Sequence, residues 1–348
     1  FCWSVLLTAV PASASETEMP PPSQGDLKLQ VDAASFRSDD GPYEEVAIRF
    51  PAIHLVFKGR GDSLFVARYL PRLQLFDHKG KHVKTVEGER RATFSSEQET
   101  RDPERSVDDI ARFRLPPGNY RAVLEVKAVG NDLSGRAEFP INVPEYKAGL
   151  LAFSDLSFIR KIDPPGPKSV LFEKDGHTLL PAPTREFASD KPLRWYVELY
   201  EIGRLAHSVR FQILDRFRHV FFDHERKFPT YREKARFTEG IPLRSMSPGI
   251  YTLRVEARAG NQTTLTERKF RVRGTPTRLS PTFTEQQQGL AQQILERFSG
   301  PKAAEQFEAL PPGERAAFAY GHWLERRPLF AQIYVGPITG LGNPEIQT

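Results

Sequence analysis

The sequence predicts a mainly β protein with two successive antiparallel β-sandwich domains and a short α-helical C-terminal segment. Three observations lead to this prediction. The 348 residues include 25 Phe, 10 Tyr and 29 Pro but only 2 Met, which is typical of short aromatic strands separated by turns. One turn-and-strand phrase occurs in both halves of the chain. Near the C-terminus the hydrophobic period changes from that of a strand to that of a helix.

The first residues predict a signal peptide over residues 1–14. An apolar run, Phe1–Val10, is too short to span a bilayer and is followed by Pro11 and the small residues Ala12–Ala14. We expect cleavage after Ala14 and an exported chain, periplasmic or secreted, that begins at Ser15. The single cysteine, Cys2, lies in the removed segment, so the mature chain is expected to have no disulfide and no thiolate site.

A polar, Pro-rich linker is predicted over residues 15–25 and the first sandwich over residues 26–145. Its strand candidates are short apolar or alternating segments: Leu27–Val31, Glu45–Phe50, Ile53–Phe57, Leu64–Leu70, Leu73–Phe76, Ala111–Leu115, Tyr120–Val126 and Arg136–Val143. The polar stretch Glu97–Asp109 is predicted to be the longest loop of this domain.

An internal repeat predicts the second sandwich over residues 146–274. The phrase Pro116–Tyr120, a turn leading into a strand, returns as Ser247–Tyr251, and Leu73–Asp77 resembles Phe211–Asp215. Short strands without intervening helical periodicity favour antiparallel, immunoglobulin-like sandwiches over a parallel α/β sheet. Trp195, a large ring at a strand position, is predicted to lie in the core of this domain.

A linker over residues 275–283 precedes a helical segment predicted over residues 284–348. Leu290, Ile294 and Phe298 recur every four residues, which places them on one helix face, and Thr284 is positioned to cap the helix. Further apolar residues at helical spacing, before the stop at Pro328, are Phe307, Leu310, Ala317, Tyr320, Trp323 and Leu324.

The C-terminal residues resemble those of GWxTD-domain proteins, a family of exported bacterial proteins of uncharacterised function. Phe307–Pro328 looks like the helix pair of that family, and Ile333–Pro337, followed by Pro344–Ile346, is similar to its strand and Gly-Pro turn. The tetrad that names the family does not occur between Pro328 and Ile333. The resemblance implies sandwich-like repeats before a helical segment and an exported chain, and it implies no known reaction.

The formal net charge of +5 is spread along the chain. Between residues 204 and 236, basic and aromatic residues are interleaved, and Arg216, Arg218, Arg226 and Lys227 are the candidates for contact with a polyanion. The alternative is that Phe faces the core and Arg faces water on alternating strands, which explains the same pattern without a ligand.

No catalytic residue, cofactor or metal site is predicted. His219, Asp223, His224 and Glu225 are metal-ligating residue types, but strand alternation points His224 away from His219 and Asp223. Asp155, Asp215 and Asp223 lie near predicted strand ends, where Asp commonly binds its own turn. The Gly-x-Ser-x-Gly motif, the phosphate loop and the dinucleotide fingerprint are absent from the sequence.

These observations predict an exported, non-catalytic binding or scaffold protein of the cell envelope. A protein or glycan partner is expected, with the helical segment docking on the partner or on the second sandwich. No nucleic-acid partner and no integral membrane segment in the mature chain are expected. Two alternatives stay open: a hydrolase whose carboxylates meet at the interdomain junction, and a purely structural spacer.

Overall fold

The structure is a computed structural model that describes residues 19–61, 64–166, 170–174, 176–203, 206–229, 234–243, 246–274, 285–315 and 318–319. It confirms the predicted fold class, because the chain is mainly β, its sheets are almost entirely antiparallel, and short helices lie near the C-terminus. The predicted signal peptide, the cap at Thr284 and the segment from residue 320 onward lie outside the described residues.

The first sandwich packs a seven-stranded sheet against a three-stranded sheet. Its strands are β1 (Gln24–Gly25), β2 (Gln30–Ser38), β3 (Gly41–Pro51), β4 (Lys58–Gly59), β5 (Phe65–Asp77), β6 (His82–Glu87), β7 (Arg90–Phe94), β8 (Ser106–Phe113), β9 (Gly118–Ala128) and β10 (Ser134–Val143). The larger sheet has the order β1-β10-β9-β5-β4, with β6 and β7 also on β5, and the smaller has the order β2-β3-β8. Inward apolar side chains of both sheets, including Phe50 and Leu124, form one core.

Strand β5 is one continuous strand where the sequence predicted two, Leu64–Leu70 and Leu73–Phe76. Pro71 lies between the two predicted segments, and proline lacks the N–H that a ladder needs. In the structure Pro71 is opposite Val126 of β9. On the other side of β5, the pairing with β7 ends at Tyr69 and the pairing with β6 begins at Arg72. The proline therefore lies where the neighbouring strands on that side leave a gap.

Two other predictions for the first sandwich are wrong. Ile53–Phe57 was predicted as a strand, but Ala52–His54 form a single 3-10 turn after β3. The polar stretch Glu97–Asp109 is not a long loop, because helix α1 (Glu97–Arg101) occupies its start and β8 its end. The hydroxyl of Ser96 accepts the Glu99 N–H and caps α1. The polar composition of this stretch reflects the exposed, capped helix α1.

The second sandwich packs a six-stranded sheet against a five-stranded sheet. Its strands are β11 (Ala152–Phe153), β12 (Ser157–Asp163), β13 (Glu173–Lys174), β14 (His177–Pro181), β15 (Glu186–Ala188), β16 (Pro192–Tyr200), β17 (His207–Leu214), β18 (Val220–Phe228), β19 (Lys234–Pro242), β20 (Gly249–Ala259) and β21 (Gln262–Arg273). The order is β11-β16-β12-β14-β13, with β19 also on β16, in one sheet and β15-β21-β20-β17-β18 in the other. Only β15 and β21 pair in parallel among the described strands. Trp195 is 1% exposed in the core, as predicted.

Helices α2 (Glu285–Ser299) and α3 (Pro301–Glu308) form the described helical segment. Buried residues recur every four positions in α2, as predicted, but they lie one position after the predicted ones. Ala291 and Leu295 are buried, whereas Leu290 is 45% exposed. One residue turns a helix by about 100°, which moves the stripe to another face. Phe307 and Leu310 are buried, as predicted. In the described part of the chain no helix combines the length and apolar composition needed to cross a membrane.

Candidate functional site

A cavity of about 1090 Å³ lies over the outer face of the five-stranded sheet, between that sheet and the helical segment. Its walls are the turn after β17, the turn before β20 and outward side chains of β21. Glu314 and Phe318 of the helical segment and Met19 of the predicted linker complete the lining. We call this cavity the β21 cleft. Its volume lies slightly above the range of roughly 300–1,000 Å³ that is usual for ligand pockets.

The turn after β17 is held by a single carboxylate. Asp215 accepts the N–H groups of Phe217 and His219 at 2.8 and 2.9 Å, which closes a tight loop. Arg218 in this loop has a left-handed φ of 70°. The loop thereby places Arg216, Phe217 and Arg218 at the cleft. In the first sandwich Asp77 accepts two backbone N–H groups of its own turn in the same way.

The turn before β20 is held by a tyrosine. The Tyr251 hydroxyl donates to the Ser247 carbonyl at 2.9 Å, and Tyr120 donates to the Pro116 carbonyl at the same distance in the first sandwich. The predicted repeat of Pro116–Tyr120 is therefore a repeat of one hydrogen-bonded turn. Tyr251 also stacks on Phe270, with 5.9 Å between the ring centroids, and so joins the cleft to the core.

Strand β21 contributes three cations to the cleft. Lys269, Arg271 and Arg273 alternate with Phe270 and Val272, and because these two are buried in the core, the three cations point outward. With Arg216 and Arg218 they make five cationic side chains in the lining, against the two carboxylates Asp215 and Glu314. The lining therefore carries three more positive than negative formal charges.

Ion pairs hold most of these cations at their places. The two terminal nitrogens of Arg218 are each 2.8 Å from Glu267, and an Arg216 nitrogen is 2.7 Å from Glu314. Arg271 and Arg273 both contact Glu186. Burial raises the pKa of Glu267, but hydrogen bonds from Arg218 and from Arg254 outweigh it and lower the pKa below its usual range. Glu267 therefore stays ionised and orients the Arg218 guanidinium.

The helical segment docks on the second sandwich beside the cleft. The Phe318 ring, 1% exposed, packs edge-on against Phe217 and His219, with centroid distances of 5.2 and 5.3 Å. The Arg216–Glu314 pair lies next to this contact. The cleft thus has one wall from the sandwich and one from the helical segment.

The first sandwich offers an internal comparison. In the second hairpin Ile250 pairs with Arg271, and in the first hairpin Asn119 pairs with Asn142. By the same register, the places of Lys269, Arg271 and Arg273 are taken by Pro140, Asn142 and Pro144. The two sandwiches therefore share a turn and a hairpin, while only the second carries cations at these three positions. The fold alone does not require those charges.

The structure brings together two of the four residues predicted to contact a polyanion. Arg216 and Arg218 line the β21 cleft. Arg226 and Lys227 are exposed on β18, away from the lining, and the Arg226 guanidinium lies 5.5 Å from the Phe228 ring centroid. Sequence reasoning missed Lys269, Arg271 and Arg273. Their alternation along one strand is visible in the sequence, but which sheet face they share with Arg216 is not.

Of the four residues considered as metal ligands, His219 and Asp223 have other partners, and Glu225 is exposed on β18. His219 lies 3.2 Å from Asp215 through Nδ1, and Asp223 pairs with Arg210 and Gln212. His224 is exposed on β18. In the part of the chain that the structure describes, no group of three His, Cys, Asp or Glu side chains is placed to hold a metal ion.

The interdomain junction contains a buried ion cluster. Asp32 of the first sandwich binds Arg185 at 2.5 Å and Arg268 at 2.6 Å, both from the second sandwich. Arg268 also donates to the carbonyls of Ala33 and Leu156. Burial lowers the pKa of Arg268 to about 10, still far above neutral, so the guanidinium stays charged.

A second group at the junction consists of carboxyls with little access to water. Ser35 donates to Glu44, which is 1% exposed, and the Ser35 N–H donates to Asp155. Burial raises the pKa of Glu44 to about 8 and raises that of Asp155 as well. Two carboxyls with raised pKa values are a pattern used in acid–base catalysis. Here Glu44 is closed off from solvent, so a substrate does not reach it.

Lys174 forms a third contact across the junction. Its ammonium lies 3.2 Å from the Phe36 ring centroid and 3.0 Å from Glu45. Phe36 packs with Tyr43 and Tyr196 in a cluster contributed by both sandwiches. Burial lowers the pKa of Lys174, while Glu45 opposes this. We interpret the contact as a cation–π anchor between the sandwiches.

No protein-family model matches the chain, and no curated protein matches it. Red sea bream transglutaminase is similar over 71% of this chain and 31% of its own, at 9% identity and a TM-score of 0.22. Bacteroides uniformis β-glucuronidase is similar over 73% and 32%, at 8% identity and a TM-score of 0.23. A Parabacteroides merdae β-glucuronidase covers 72% and 34%, at 11% identity and a TM-score of 0.21. The chain spans about a third of the length of these structures. Similarity at this level indicates neither a shared activity nor a shared ligand.

Proposed function

We propose that this chain is a non-catalytic binding protein that holds an anionic ligand in the β21 cleft. The observation that carries the proposal is the set of five cations, Arg216, Arg218, Lys269, Arg271 and Arg273, around one cavity of about 1090 Å³. Guanidinium groups match carboxylate and phosphate with two parallel hydrogen bonds, and an ammonium adds a compact charge.

The Arg216–Glu314 ion pair of the cleft is compatible with exchange for a ligand. Arg216 and Glu314 are 52% and 40% exposed, and exposed pairs contribute only about 0–1 kcal/mol. A ligand anion therefore replaces such a carboxylate at small cost while keeping the cation oriented. The charges are also dispensable for the fold, since the first sandwich builds the same hairpin with Pro140, Asn142 and Pro144.

The rest of the chain is proposed to be a scaffold for this cleft. The Asp32 cluster and the Lys174 anchor join the two sandwiches through buried contacts. Export, proposed from the apolar run Phe1–Val10 and the small residues after it, would place the scaffold in the cell envelope or outside the cell. A hydrolase at the junction is not favoured, because Glu44 is buried there and has no surface open to a substrate.

The proposal is tested by titrating the full chain with tripolyphosphate in low-salt buffer and measuring binding by isothermal titration calorimetry. Lys269→Glu is expected to weaken binding about tenfold, because it replaces an attraction with a repulsion at the site. Lys127→Glu, at an exposed position of β9 in the first sandwich, makes the same change in net charge away from the cleft and is expected to have little effect. Absence of binding by the parent chain would sink the proposal and favour the spacer alternative.

A further inference from the structure

We infer that the ligand of the β21 cleft is an anionic amphiphile, with one phosphate or carboxylate group and an alkyl or acyl chain. This inference rests on the proposed anion site and adds the chemical nature of the rest of the ligand. It is carried by the apolar side chains of the lining, which have no role in the proposed binding of the anion.

The cleft exposes apolar surface that the core does not need. Ile250 is 40% exposed, and Phe217 is half-buried. Met19, also half-buried, adds apolar surface to the same lining, behind which Tyr251, Val272 and Phe318 are buried. A ligand with only charged groups would leave the exposed parts of Ile250, Phe217 and Met19 facing water, whereas an alkyl chain would cover them, which is favourable.

The head and the chain of such a ligand would find adjacent partners. Ile250 of β20 is directly opposite Arg271 of β21. Side chains at directly opposed positions of antiparallel strands have their Cβ atoms about 4.5–5.5 Å apart. The boundary between apolar and cationic surface therefore runs between neighbouring side chains, as recognition of an amphiphile requires.

The first sandwich shows that both features are specific to the second. Ile250 corresponds to Asn119, and Phe217 corresponds to Lys79 in the turn held by Asp77. The first sandwich therefore presents polar side chains where the second presents an exposed aliphatic and an aromatic side chain.

The experiment compares three probes on the full chain by isothermal titration calorimetry, below micelle formation. Decyl phosphate has head and chain, inorganic phosphate has the head alone, and decyl maltoside has the chain without charge. Decyl phosphate is expected to bind at least tenfold more tightly than either of the others. Lys269→Glu is expected to weaken both phosphate probes.

Two matched variants separate the chain from the head. Ile250→Asn, which installs the residue that the first sandwich has at this place, is expected to weaken decyl phosphate at least fivefold and leave inorganic phosphate unchanged. Leu265→Asn alters an equally exposed aliphatic residue outside the lining, 40% exposed like Ile250, and is expected to change neither.

The outcomes distinguish the two proposals. If decyl phosphate binds no more tightly than inorganic phosphate, or if Ile250→Asn affects both equally, the amphiphile inference is overturned and the anion site stands. If decyl maltoside binds as tightly as decyl phosphate, the head plays no part and the inference fails as well. If neither phosphate probe nor tripolyphosphate binds, the anion site itself is wrong.

Discussion

The carboxylate of Asp32 lies 2.6 Å from a terminal nitrogen of Arg268, a residue 236 positions later in the chain. Asp32 belongs to the first sandwich and Arg268 to the second, and both side chains are about 90% or more buried. Arg185 donates to both oxygens of the same carboxylate. One aspartate of the first sandwich thus pairs with two arginines of the second.

Removing the Asp32 charge is expected to destabilise the protein strongly. Asp32→Asn removes the carboxylate that pairs with both Arg185 and Arg268, and breaking a buried ion pair by removing one partner typically costs about 3–5 kcal/mol. Urea denaturation of the variant and the parent measures the change in free energy of unfolding. Asp40→Asn is the control, because Asp40 pairs with Arg114 but is 83% exposed. A loss of under 1 kcal/mol for Asp32→Asn would contradict the importance of this cluster.

Glu44 is expected to make stability depend on pH. Because burial raises its pKa from 4.5 to about 8, the folded chain keeps a proton that the unfolded chain releases between these values. The contribution of Glu44 to stability is therefore lost as pH rises from about 4.5 to about 8 and stays lost above it. Glu44→Gln keeps the shape and removes the charge.

The variant should equal the parent near pH 4 and exceed it at pH 9, by up to about 4 kcal/mol. Unfolding in urea at a series of pH values measures this difference directly. An unchanged difference between parent and variant across the range would show that Glu44 titrates normally in the folded chain.

The two tyrosines of the repeated turn are expected to contribute unequally. Tyr251→Phe removes a buried hydrogen bond to the Ser247 carbonyl and is expected to cost about 1–2 kcal/mol. Tyr120→Phe removes the same bond at an exposed site, where water replaces the hydroxyl, and is expected to cost under about 0.5 kcal/mol. Thermal unfolding of both variants gives the comparison. A larger loss of stability for Tyr120→Phe than for Tyr251→Phe would contradict the expectation that the buried hydrogen bond contributes more.

Phe318 is expected to hold the helical segment on the second sandwich. Phe318→Ala removes the ring that packs on Phe217 and Phe307, and the local cost is expected to be about 3–5 kcal/mol. Hydrogen exchange should become faster in α2 and α3 while the sandwich strands keep their protection. Leu290→Ala, at an exposed position of α2, is the control. Unchanged exchange in Phe318→Ala would show that other contacts hold the segment.

Much of the fold was predictable because it depends on local pattern. Strand alternation around Tyr120–Val126, the turn at Gly249 and the burial of Trp195 all follow from residue type and spacing. Two errors have identifiable causes. The segments on either side of Pro71 form one strand because β9 pairs with β5 across the proline, while β6 and β7 leave a gap at Pro71 on the other side. The buried face of α2 differs from the predicted one because it includes Ala291, which is only weakly apolar.

The site was only half predictable because it depends on contacts between distant segments. Arg216 was identified from its basic and aromatic surroundings, but Lys269 joins it through sheet pairing and Glu314 through the docking of the helical segment. The junction shows the same limit. Asp32 and Arg268 are ordinary charged residues in the sequence, and only the packing of one sandwich on the other explains their burial.

The measurement that tests the anion site most directly is lysine footprinting of the full chain with and without tripolyphosphate. Acetylation at each lysine is quantified by mass spectrometry, with Lys127 as the internal reference outside the cleft. The account predicts that the ligand slows acetylation of Lys269 severalfold and leaves Lys127 unchanged. Equal protection at both lysines, or protection at Lys127 alone, would contradict a site in the β21 cleft.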